Sequence, residues 1–564
     1  MTNSKINYNA IAPIINVEGG AHPHAMNEEV NLSADQSMLK LISDMSKEGS
    51  LAYNNAISLN LEGDLNEESL KLAINQVVER HSALRTTISE DGEKQIICQE
   101  LNYDYEYQDF SNLDEKNTGK ELDKFLEKES KRCFDLRKSL FRCYLIKLSE
   151  KKHIFGMVIH HIICDGVSVG IILEEISFIY TEICQGREAL LPKIFQYKDY
   201  LAWVLQKKNS EEILSQISFW KEVAKKDIPS LNLPTDYMRP EIKTYAGARL
   251  SSNISKELCG FLKEMSKKFH LTYFMVLEAA YNLLLHYASK QKILSVGIAF
   301  SGRRYPESEN VVGYCSNIYP IVSILRKGMT FRTYLQDLKL TLLDAYENQD
   351  CRFSDIIEAS NVIRDKSHSF FFSVAFNWDR IFIPEFYNLQ VSYKEQPISG
   401  TEYDLMPNIM EVNDELVISW DYNTDLFKRE TIENFSGKFV ELLKYVLSNP
   451  DQPLEVFEDK YFENISNKTI FESSKEKGVS IQSNTLLSIE EVKSIIKEVL
   501  SDYVQCKNLK EDDDFFYMGL NSLDLARAFP KLKKKLGLDT ISIVDIFKHS
   551  SITKFSNFIK TKEK

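Results

Sequence analysis

The stretch that decides the fold is His160-His161-Ile162-Ile163-Cys164-Asp165-Gly166. It follows an apolar run at 154–159, which predicts a buried strand, and precedes 167–183, whose spacing predicts an amphipathic helix. Adjacent strand residues point to opposite faces, so only one of the two histidines can face a given cavity. Gly166 permits a close backbone approach or a positive φ, and Asp165 can hold an imidazole or pair with an arginine. Taken alone, such a buried histidine pair is more often structural than catalytic.

A second pattern overlaps the end of this stretch. Gly166-Val167-Ser168-Val169-Gly170 fits G-x-S-x-G, the nucleophile elbow of serine hydrolases. This alternative makes Ser168 a nucleophile and requires a downstream acid and histidine. His270, His286 and His368 are available, but none stands in a recognisable setting. The competing interpretation is that Ser168 caps or begins the helix.

Strands and helices alternate on both sides of the stretch, from residue 32 to about residue 457. The hydrophobic spacing predicts strands at 51–61, 246–254 and 293–299, and helices at 67–81, 256–269 and after Thr272. Two α/β rounds of this kind predict two related lobes that divide near 195–245.

The remaining segments differ in composition. Residues 1–29 predict an N-terminal tail, and the polar, Ser- and Lys-rich residues 458–486 predict a linker. Residues 487–564 predict a small all-helical unit with helices at 490–503, 523–535 and 552–560 and a helical turn at 544–549.

The all-helical unit contains a second candidate site. A short loop at 514–521 leads into a helix whose first turn contains Ser522. A phosphodiester on that hydroxyl would lie at a helix N-terminus, where the dipole and the free N–H groups favour an anion. The alternative is a serine that only caps the helix.

Composition narrows the function classes. The 564 residues carry 69 Lys and Arg against 82 Asp and Glu, a formal net charge of −13, which argues against a nucleic-acid partner. No apolar run approaches the roughly 20 residues of a membrane span, and no signal pattern opens the chain. The nine cysteines never form a CxxC pair, which indicates a reducing, cytoplasmic location and argues against a metal site.

Together these features resemble a nonribosomal peptide synthetase. Residues 30–457 resemble a condensation domain, and residues 487–564 resemble a peptidyl carrier protein. The resemblance rests on the Ser522 motif and on seven elements in the family's order, at 31–36, 80–86, 160–166, 197–203, 301–317, 348–350 and 364–378.

The resemblance implies the α/β chloramphenicol-acetyltransferase-like fold, with two lobes in a V and a tunnel between them, followed by a small all-α, four-helix carrier domain. It implies that His161 faces the tunnel as a base or positioning group and that His160 is mainly structural. It also implies that Asp165 pairs with Arg303 and that Gly166 keeps the tunnel open for the pantetheine arm.

Three further assignments follow from the resemblance. Ser522 is implied to carry 4′-phosphopantetheine, and Asn377 is a candidate for the tunnel lining. Ser168 falls where the family begins a helix, which removes it as a nucleophile.

The implied activity is acyl transfer that forms an amide bond between a donor thioester and an acceptor on the arm of Ser522. Ester formation and a recruitment domain without catalysis remain alternatives. Heterocyclisation would need an aspartate at position 160. The motif Gly519-Leu520-Asn521 departs from the usual peptidyl carrier, so the cargo stays open. The expected partners are an upstream donor carrier protein, a phosphopantetheinyl transferase and a stand-alone adenylation or other loading enzyme acting in trans.

Overall fold

The computed structural model of the chain describes residues 27–226, 228–360, 367, 371–379, 383–412, 415–461, 488–501, 503, 510–515, 522–537, 541 and 543–562. Two α/β lobes and a four-helix unit make up this part of the chain, so the expected fold class is confirmed. None of its helices is long and apolar enough to cross a membrane.

The first lobe is built by the chain up to residue 207. Its elements are β1 (Glu28–Asn31), α1 (Ala34–Met45), α2 (Lys47–Ala52), β2 (Asn54–Gly63), α3 (Glu67–Arg80), β3 (Thr86–Ile88), β4 (Lys94–Ile97), β5 (Asp104–Asp109), α4 (Glu115–Ser130), β6 (Phe141–Ser149), β7 (Lys152–His160), α5 (Gly166–Cys184) and α6 (Tyr197–Lys207).

The second lobe begins at residue 211. Its elements are α7 (Glu211–Ala224), β8 (Gly247–Ile254), α8 (Lys256–Phe269), α9 (Tyr273–Ser289), β9 (Ile293–Phe300), β10 (Asn317–Ile324), α10 (Phe331–Glu347), α11 (Phe353–Ser360), β11 (Ala375–Asp379), β12 (Leu389–Lys394), β13 (Leu405–Val412), β14 (Glu415–Asn423), α12 (Arg429–Ser448) and α13 (Glu455–Tyr461).

Each lobe is organised around one mixed sheet. The first sheet has the order β12-β2-β7-β6-β5 and the second β10-β9-β11-β13-β14-β8, while β1, β4 and β3 form a small separate sheet. Strand β12 lies between β11 and β13 in the sequence, yet it pairs antiparallel with β2 of the first lobe. The second lobe therefore lends one strand to the sheet of the first.

The two lobes have separate apolar cores. Leu201 of α6 belongs to the apolar core of the first lobe, whereas Ile213 and Trp220 of α7 belong to the core of the second. The chain therefore changes lobes between α6 and α7, within residues 195–245.

The four-helix unit comprises α14 (Ile489–Ser501), α15 (Ser522–Leu536), α16 (Ile543–Lys548) and α17 (Ile552–Lys562). Its apolar core is formed by residues such as Ile496, Leu532 and Phe555. The same cluster includes Leu41 of α1, so this unit packs against the first lobe.

Several sequence-based boundaries differ from the structure. The strand expected at 51–61 begins only at Asn54, because residues 51 and 52 still belong to α2, where Leu51 is buried on the helix. Helix α13 continues to Tyr461, four residues into the expected linker, and β1 starts at Glu28, inside the expected tail. Most of that tail and linker lies outside the described residues, as does Arg364-Asp365.

Candidate active site around His161

The two histidines of the motif have different environments because the chain bends between them. His160 ends strand β7, and His161 begins a 3-10 turn over 161–163. His160 is fully buried, whereas His161 is partly exposed. The expected opposite orientation thus comes from a turn at the strand end and not from strand alternation, as the sequence argument assumed.

His160 is held by hydrogen bonds on both ring nitrogens. Its Nδ1 accepts the amide hydrogen of Ile162 at 3.2 Å, and its Nε2 lies 3.3 Å from the hydroxyl of Ser43. Burial, followed by the nearby His161 and Arg142, lowers the pKa of His160 to about 3. A neutral, enclosed imidazole of this kind supports the loop and has no access to a substrate.

His161 has a free nitrogen next to aromatic rings. Its Nδ1 has no hydrogen-bond partner among the described residues. The ring of Tyr314 stands edge-on at 5.0 Å between centroids, and that of Tyr53 at 6.3 Å. The amide of His161 donates to the carbonyl of Tyr53 at 2.7 Å, which fixes the backbone. Nδ1 is itself buried, so a bound group would meet the part of the ring that remains exposed and not this nitrogen.

A buried ion pair lies directly behind this loop. Arg303 donates from Nη1 to Asp165 Oδ2 at 2.8 Å and from Nη2 to Asp165 Oδ1 at 2.9 Å. Asp165 also accepts the amide hydrogens of Cys315 and Ser316 at 3.0 and 2.9 Å, and it caps the N-terminus of α5 through the amide of Ser168. The expected contact between Asp165 and Arg303 is therefore present.

The charges of this pair stabilise each other. Burial opposes ionisation of Asp165, but the charge and hydrogen bonds of Arg303 outweigh it and lower the pKa of the carboxyl. Burial also opposes the charge of Arg303, and Asp165 again outweighs it and raises the pKa of the guanidinium. Both groups stay ionised and join α5 of the first lobe to the 301–316 loop of the second.

Ser168 belongs to the same cluster and is not a nucleophile. Its hydroxyl is completely buried, accepts from Arg303 Nη2 at 2.8 Å and from the amide of Gly313 at 3.0 Å, and lies 2.7 Å from Asp165 Oδ1. An elbow serine must be exposed and must face a histidine. His286 is instead bound to Ser323 and the carbonyl of Gln291 in the second core, so the hydrolase alternative is wrong at this position.

Gly166 is the first residue of α5 and is exposed. Of the two reasons considered for this glycine, a positive φ does not apply, because Gly166 is absent from the positive-φ residues of the described chain. Gly302 in the facing loop does require its residue type. It has φ of 66°, and a Cβ there would lie 2.0 Å from the carbonyl oxygen of Cys315.

Helix α6 holds the 301–316 loop in place. The hydroxyl of Tyr197 donates to the carbonyl of Tyr314 at 3.1 Å, and that of Tyr200 donates to the carbonyl of Gly302 at 3.0 Å. The 197–203 element thus acts through the loop that carries Arg303 and Tyr314.

Asn377 lies outside the cluster around Asp165. It is part of β11, and its side-chain amide donates to Asn408 at 3.0 Å. Asn408 in turn donates to Asp421, which pairs with Arg249. The structure places Asn377 at the end of this polar chain across the second sheet, outside the Asp165 cluster.

Ser522 is the first residue of α15, a 15-residue helix. This position agrees with the predicted location at a helix start, and its side chain lies outside what the structure describes. A helix of this length offers free N–H groups and a dipole that favours an attached phosphodiester.

Several contacts around His161 went unassigned in the sequence. Gln36 was recognised only as part of a motif, yet it donates to the carbonyl of Ile162 at 2.9 Å. Arg352, which pairs with Asp35, follows the 348–350 element without being part of it. The sequence marks these residues only as polar side chains within a helix or beside a recognised element. Such a position does not by itself identify the residue with which the side chain interacts.

Comparison with known proteins identifies the family. Residues 26–458 match the family described as Condensation domain. The chain belongs to the condensation-domain family. Residues 490–559 match the family described as Phosphopantetheine attachment site, so the four-helix unit is the carrier domain that follows the condensation domain.

The relatives are much larger proteins. Over 438 residues the chain is 33% identical to tyrocidine synthase 3 of Brevibacillus parabrevis, a match that covers 77% of this chain and 6% of that protein. It is 29% identical over 516 residues to bacitracin synthase 1 of Bacillus licheniformis, covering 91% of this chain and 9% of that protein. The chain thus spans less than a tenth of these relatives.

Solved structures share the fold of the condensation domain. The first condensation domain of the calcium-dependent antibiotic synthetase, solved with a substrate analogue, has a TM-score of 0.66 at 15% identity and covers 76% of this chain and 98% of that chain. The X-domain from teicoplanin biosynthesis has a TM-score of 0.65 at 21% identity, covering 78% and 99%. These likenesses establish the two-lobed fold.

Proposed function

We propose that the chain catalyses amide-bond formation in nonribosomal peptide synthesis. The donor is an acyl thioester on a separate, upstream carrier protein, and the acceptor is an amine held by the carrier domain of this chain. The observation that carries the proposal is His161, whose ring is partly exposed beside Tyr314 and sits on a loop backed by the Asp165–Arg303 pair.

This reaction needs only a modest contribution from a general base. The acceptor nitrogen attacks the carbonyl carbon of the donor, a C–N bond forms, and the C–S bond breaks to release a thiol. The amine proton passes to His161 and then to the departing sulfur. An α-amine of pKa near 8 is already about one-tenth neutral at pH 7. Holding both reactants together can lower the activation barrier by about 7–11 kcal/mol. A general base accelerates the reaction by about 10²–10⁴-fold, which is a smaller reduction of the barrier, so positioning dominates.

Ser522 is the proposed attachment residue for 4′-phosphopantetheine. What supports it is the position of Ser522 as the first residue of α15, inside the matched region 490–559. When bound, the group supplies a flexible arm that ends in a thiol. The N-terminal amides of α15 would hold its phosphate through the helix dipole.

The proposal includes the partners and the location. A phosphopantetheinyl transferase modifies Ser522, and a stand-alone adenylation enzyme or another loading enzyme charges the arm in trans. The support is that the two matched families occupy 26–458 and 490–559. We place the reaction in the cytoplasm on the basis of the nine scattered cysteines.

The test of attachment is intact mass after incubation with coenzyme A and a phosphopantetheinyl transferase. We expect wild type to gain one phosphopantetheine and Ser522→Ala to gain none. Ser501→Ala, which changes an exposed serine of α14, is the matched control and should still be modified. Modification of Ser522→Ala would overturn the assignment.

The test of catalysis is single-turnover condensation with donor and acceptor carriers both loaded. If the acceptor is an amine, His161→Ala should still form measurable product, because positioning alone supports the reaction. If the acceptor is an alcohol, the condensation rate of His161→Ala should fall by close to the full 10²–10⁴-fold. His270→Asn, at an exposed position with φ of 54° that asparagine tolerates, is the matched histidine control.

A recruitment function is the second candidate. The observation that favours it is the likeness to the X-domain from teicoplanin biosynthesis, a protein also solved in complex with OxyB. Wild type that condenses loaded substrates argues for the enzyme. If wild type folds and loads but forms no product, and His161→Ala changes nothing, recruitment replaces catalysis.

A further inference from the structure

Helix α1 has two apolar faces that pack against different bodies. Leu39 and Ile42 pack in the core of the first lobe. Met38, Leu41 and Met45, which follow each other at helical spacing, pack with the core of the carrier domain. Helix α1 therefore supplies three of the four condensation-domain side chains in this described cluster, and Ile242 is the fourth.

The same helix holds the histidine loop. The side chain of Gln36 donates to the carbonyl of Ile162 at 2.9 Å, within the 3-10 turn that begins at His161. One turn beyond the middle of α1, the hydroxyl of Ser43 lies 3.3 Å from Nε2 of His160. Gln36 also forms a capping box with Ser33, so a residue in the first turn of the helix also holds the loop.

A third contact ties α1 to the second lobe. Arg352 donates from Nε to Asp35 Oδ2 at 2.5 Å and from Nη1 to the carbonyl of Cys315 at 3.1 Å. Only about a tenth of either charged side chain is exposed, 12% for Arg352 and 11% for Asp35. Cys315 follows Tyr314, whose ring contacts His161, so this pair is linked to the histidine through the 314–315 segment.

The order of α1 depends on being covered on both faces. A 12-residue helix is marginal in water on its own, and tertiary packing supplies most of its stability. When the carrier domain leaves, Met38, Leu41 and Met45 become exposed and the helix loses that packing. The contacts of Asp35, Gln36 and Ser43 then lose the frame that aligns them.

We propose that α1 couples docking of the carrier domain to the geometry of His161, with Gln36 and the Asp35–Arg352 pair as positioning residues. Docking orders α1 and thereby the loop from 160 to 163, so the histidine is aligned when the acceptor domain is present. By linkage, an ordered loop also favours docking. The proposal rests on the proposed function for its purpose, but its contacts stand without it.

Hydrogen exchange measured on the full chain tests the coupling without any activity. Leu41→Lys removes the apolar contact and keeps a good helix former. Leu72→Lys, at a residue of α3 that is 51% exposed, is the matched control. In Leu41→Lys we expect faster exchange in α1, in α15 and in the 160–163 loop; in the control, none of these.

The result that overturns the coupling is release of the carrier domain, seen as faster exchange at the surface of α15, with the 160–163 loop unchanged. Unchanged exchange in α15 would overturn the docking contact itself. Lack of condensation by wild type would instead remove the proposed function and leave the exchange result readable, so the two failures are distinguishable.

Gln36→Glu tests positioning, with the melting temperature measured beside it because Gln36 is fully buried and also donates to Gln95 at 3.1 Å. Glutamate still accepts the amide of Ser33 and keeps the capping box, but when ionised it cannot donate to the carbonyl of Ile162. With ¹³C-labelled histidine, we expect the ring resonance of His161, assigned through His161→Gln, to shift in Gln36→Glu and in Leu41→Lys but not in Leu72→Lys. A ring resonance at its wild-type position in Gln36→Glu would rule out the positioning role.

Discussion

At the scale of single residues, the carboxylate of Asp165 joins three chain segments. It accepts hydrogen bonds from Arg303, from the start of α5 at Ser168 and from the amides of Cys315 and Ser316. The contacts from Arg303, Ser168 and Cys315 are buried and the one from Ser316 is partly buried, so water competes little with them. The carboxylate therefore acts as a junction behind His161 and touches no open space.

Asp165→Asn is expected to destabilise the fold. It removes the charge that compensates the buried Arg303, and breaking a buried pair on one side costs about 3–5 kcal/mol. The free energy of unfolding, measured by urea titration at pH 7, should fall by that order. Because the pKa of Asp165 is lowered in the fold, the wild-type advantage is present at neutral pH and is lost progressively as the pH falls from the ordinary aspartate pKa of about 3.9 through the lower pKa of the fold.

The control for Asp165→Asn is Asp451→Asn. Asp451 pairs with Arg332 at the surface, where its side chain is 65% exposed. An exposed pair of this kind is worth at most about 1 kcal/mol. Equal losses for the two variants would contradict the role of burial.

Much of this cluster could be foreseen from the residues. The family resemblance named Asp165 and Arg303, and the pair is present. The resemblance gave no reason for the Ser168 hydroxyl to bind Gly313, because that contact joins residues 145 apart and depends on how two lobes meet. The link from Gln36 to Ile162 was missed for the same reason, since its two residues are 126 apart.

At the scale of elements, α9 carries a polar stripe through an apolar core. Glu278, Asn282 and His286 follow at four-residue spacing and are all buried. Asn282 donates to Glu278 Oε1 at 3.3 Å, while Glu278 Oε2 has no partner among the described residues. Burial raises the pKa of Glu278 to about 8, and the bond from Asn282 only partly offsets this.

Glu278→Gln is expected to stabilise the protein more as the pH rises. Between about pH 4.5 and pH 8 the folded protein keeps the proton of Glu278 while the unfolded chain releases it, so wild-type stability falls across that window. Glutamine mimics the protonated form and removes this loss. Melting temperatures at pH 5 and pH 8 should therefore differ less for the variant than for wild type.

Glu264→Gln makes the same change on the exposed surface of α8 and should leave the pH dependence unaltered. Identical pH dependence in Glu278→Gln and wild type would show that Glu278 ionises normally in the fold.

Helices were easier to foresee than strands for a physical reason. The spacing of apolar residues predicted α8 residue for residue and α3 to within one, because each covers a core with one face. Strand β12, Leu389–Lys394, could not be foreseen, since its pairing with β2 depends on a segment more than 300 residues away. The start of β2 was misplaced because Leu51 is apolar and buried in either conformation.

At the scale of the whole molecule, Gly400 of the second lobe lies close against the backbone of the first lobe. A Cβ at this residue would lie 2.4 Å from the amide nitrogen of Ala52 and 2.6 Å from the carbonyl oxygen of Glu48, both in α2 of the first lobe. On its other side, Gly400 bridges to Ala246 beside β8 of the second lobe. Backbone atoms surround the position, so no side chain can move aside.

Gly400→Ala is expected to force the lobes apart and destabilise the chain. Overpacking of this kind costs about 1–3 kcal/mol, and here backbone must shift to relieve it. Gly260→Ala is the matched control, because a Cβ in the middle of α8 meets nothing within 4 Å. Alanine favours a helix over glycine by up to about 1 kcal/mol, so the control should melt higher and Gly400→Ala lower.

Strand β12 also has a consequence for how the protein is made. During synthesis, the partner edge of β2 stays open from the time β7 ends at His160 until Lys394 has been added. At roughly 5–20 residues per second, these 394 − 160 = 234 residues take about 12–47 s. Throughout that interval a ten-residue strand of the nascent chain has an unpaired edge, which can pair with another chain and promote aggregation. A chain released by a ribosome that stalls between the two lobes would therefore need a chaperone. This holds even though the whole loop from 160 to 163 has already been translated.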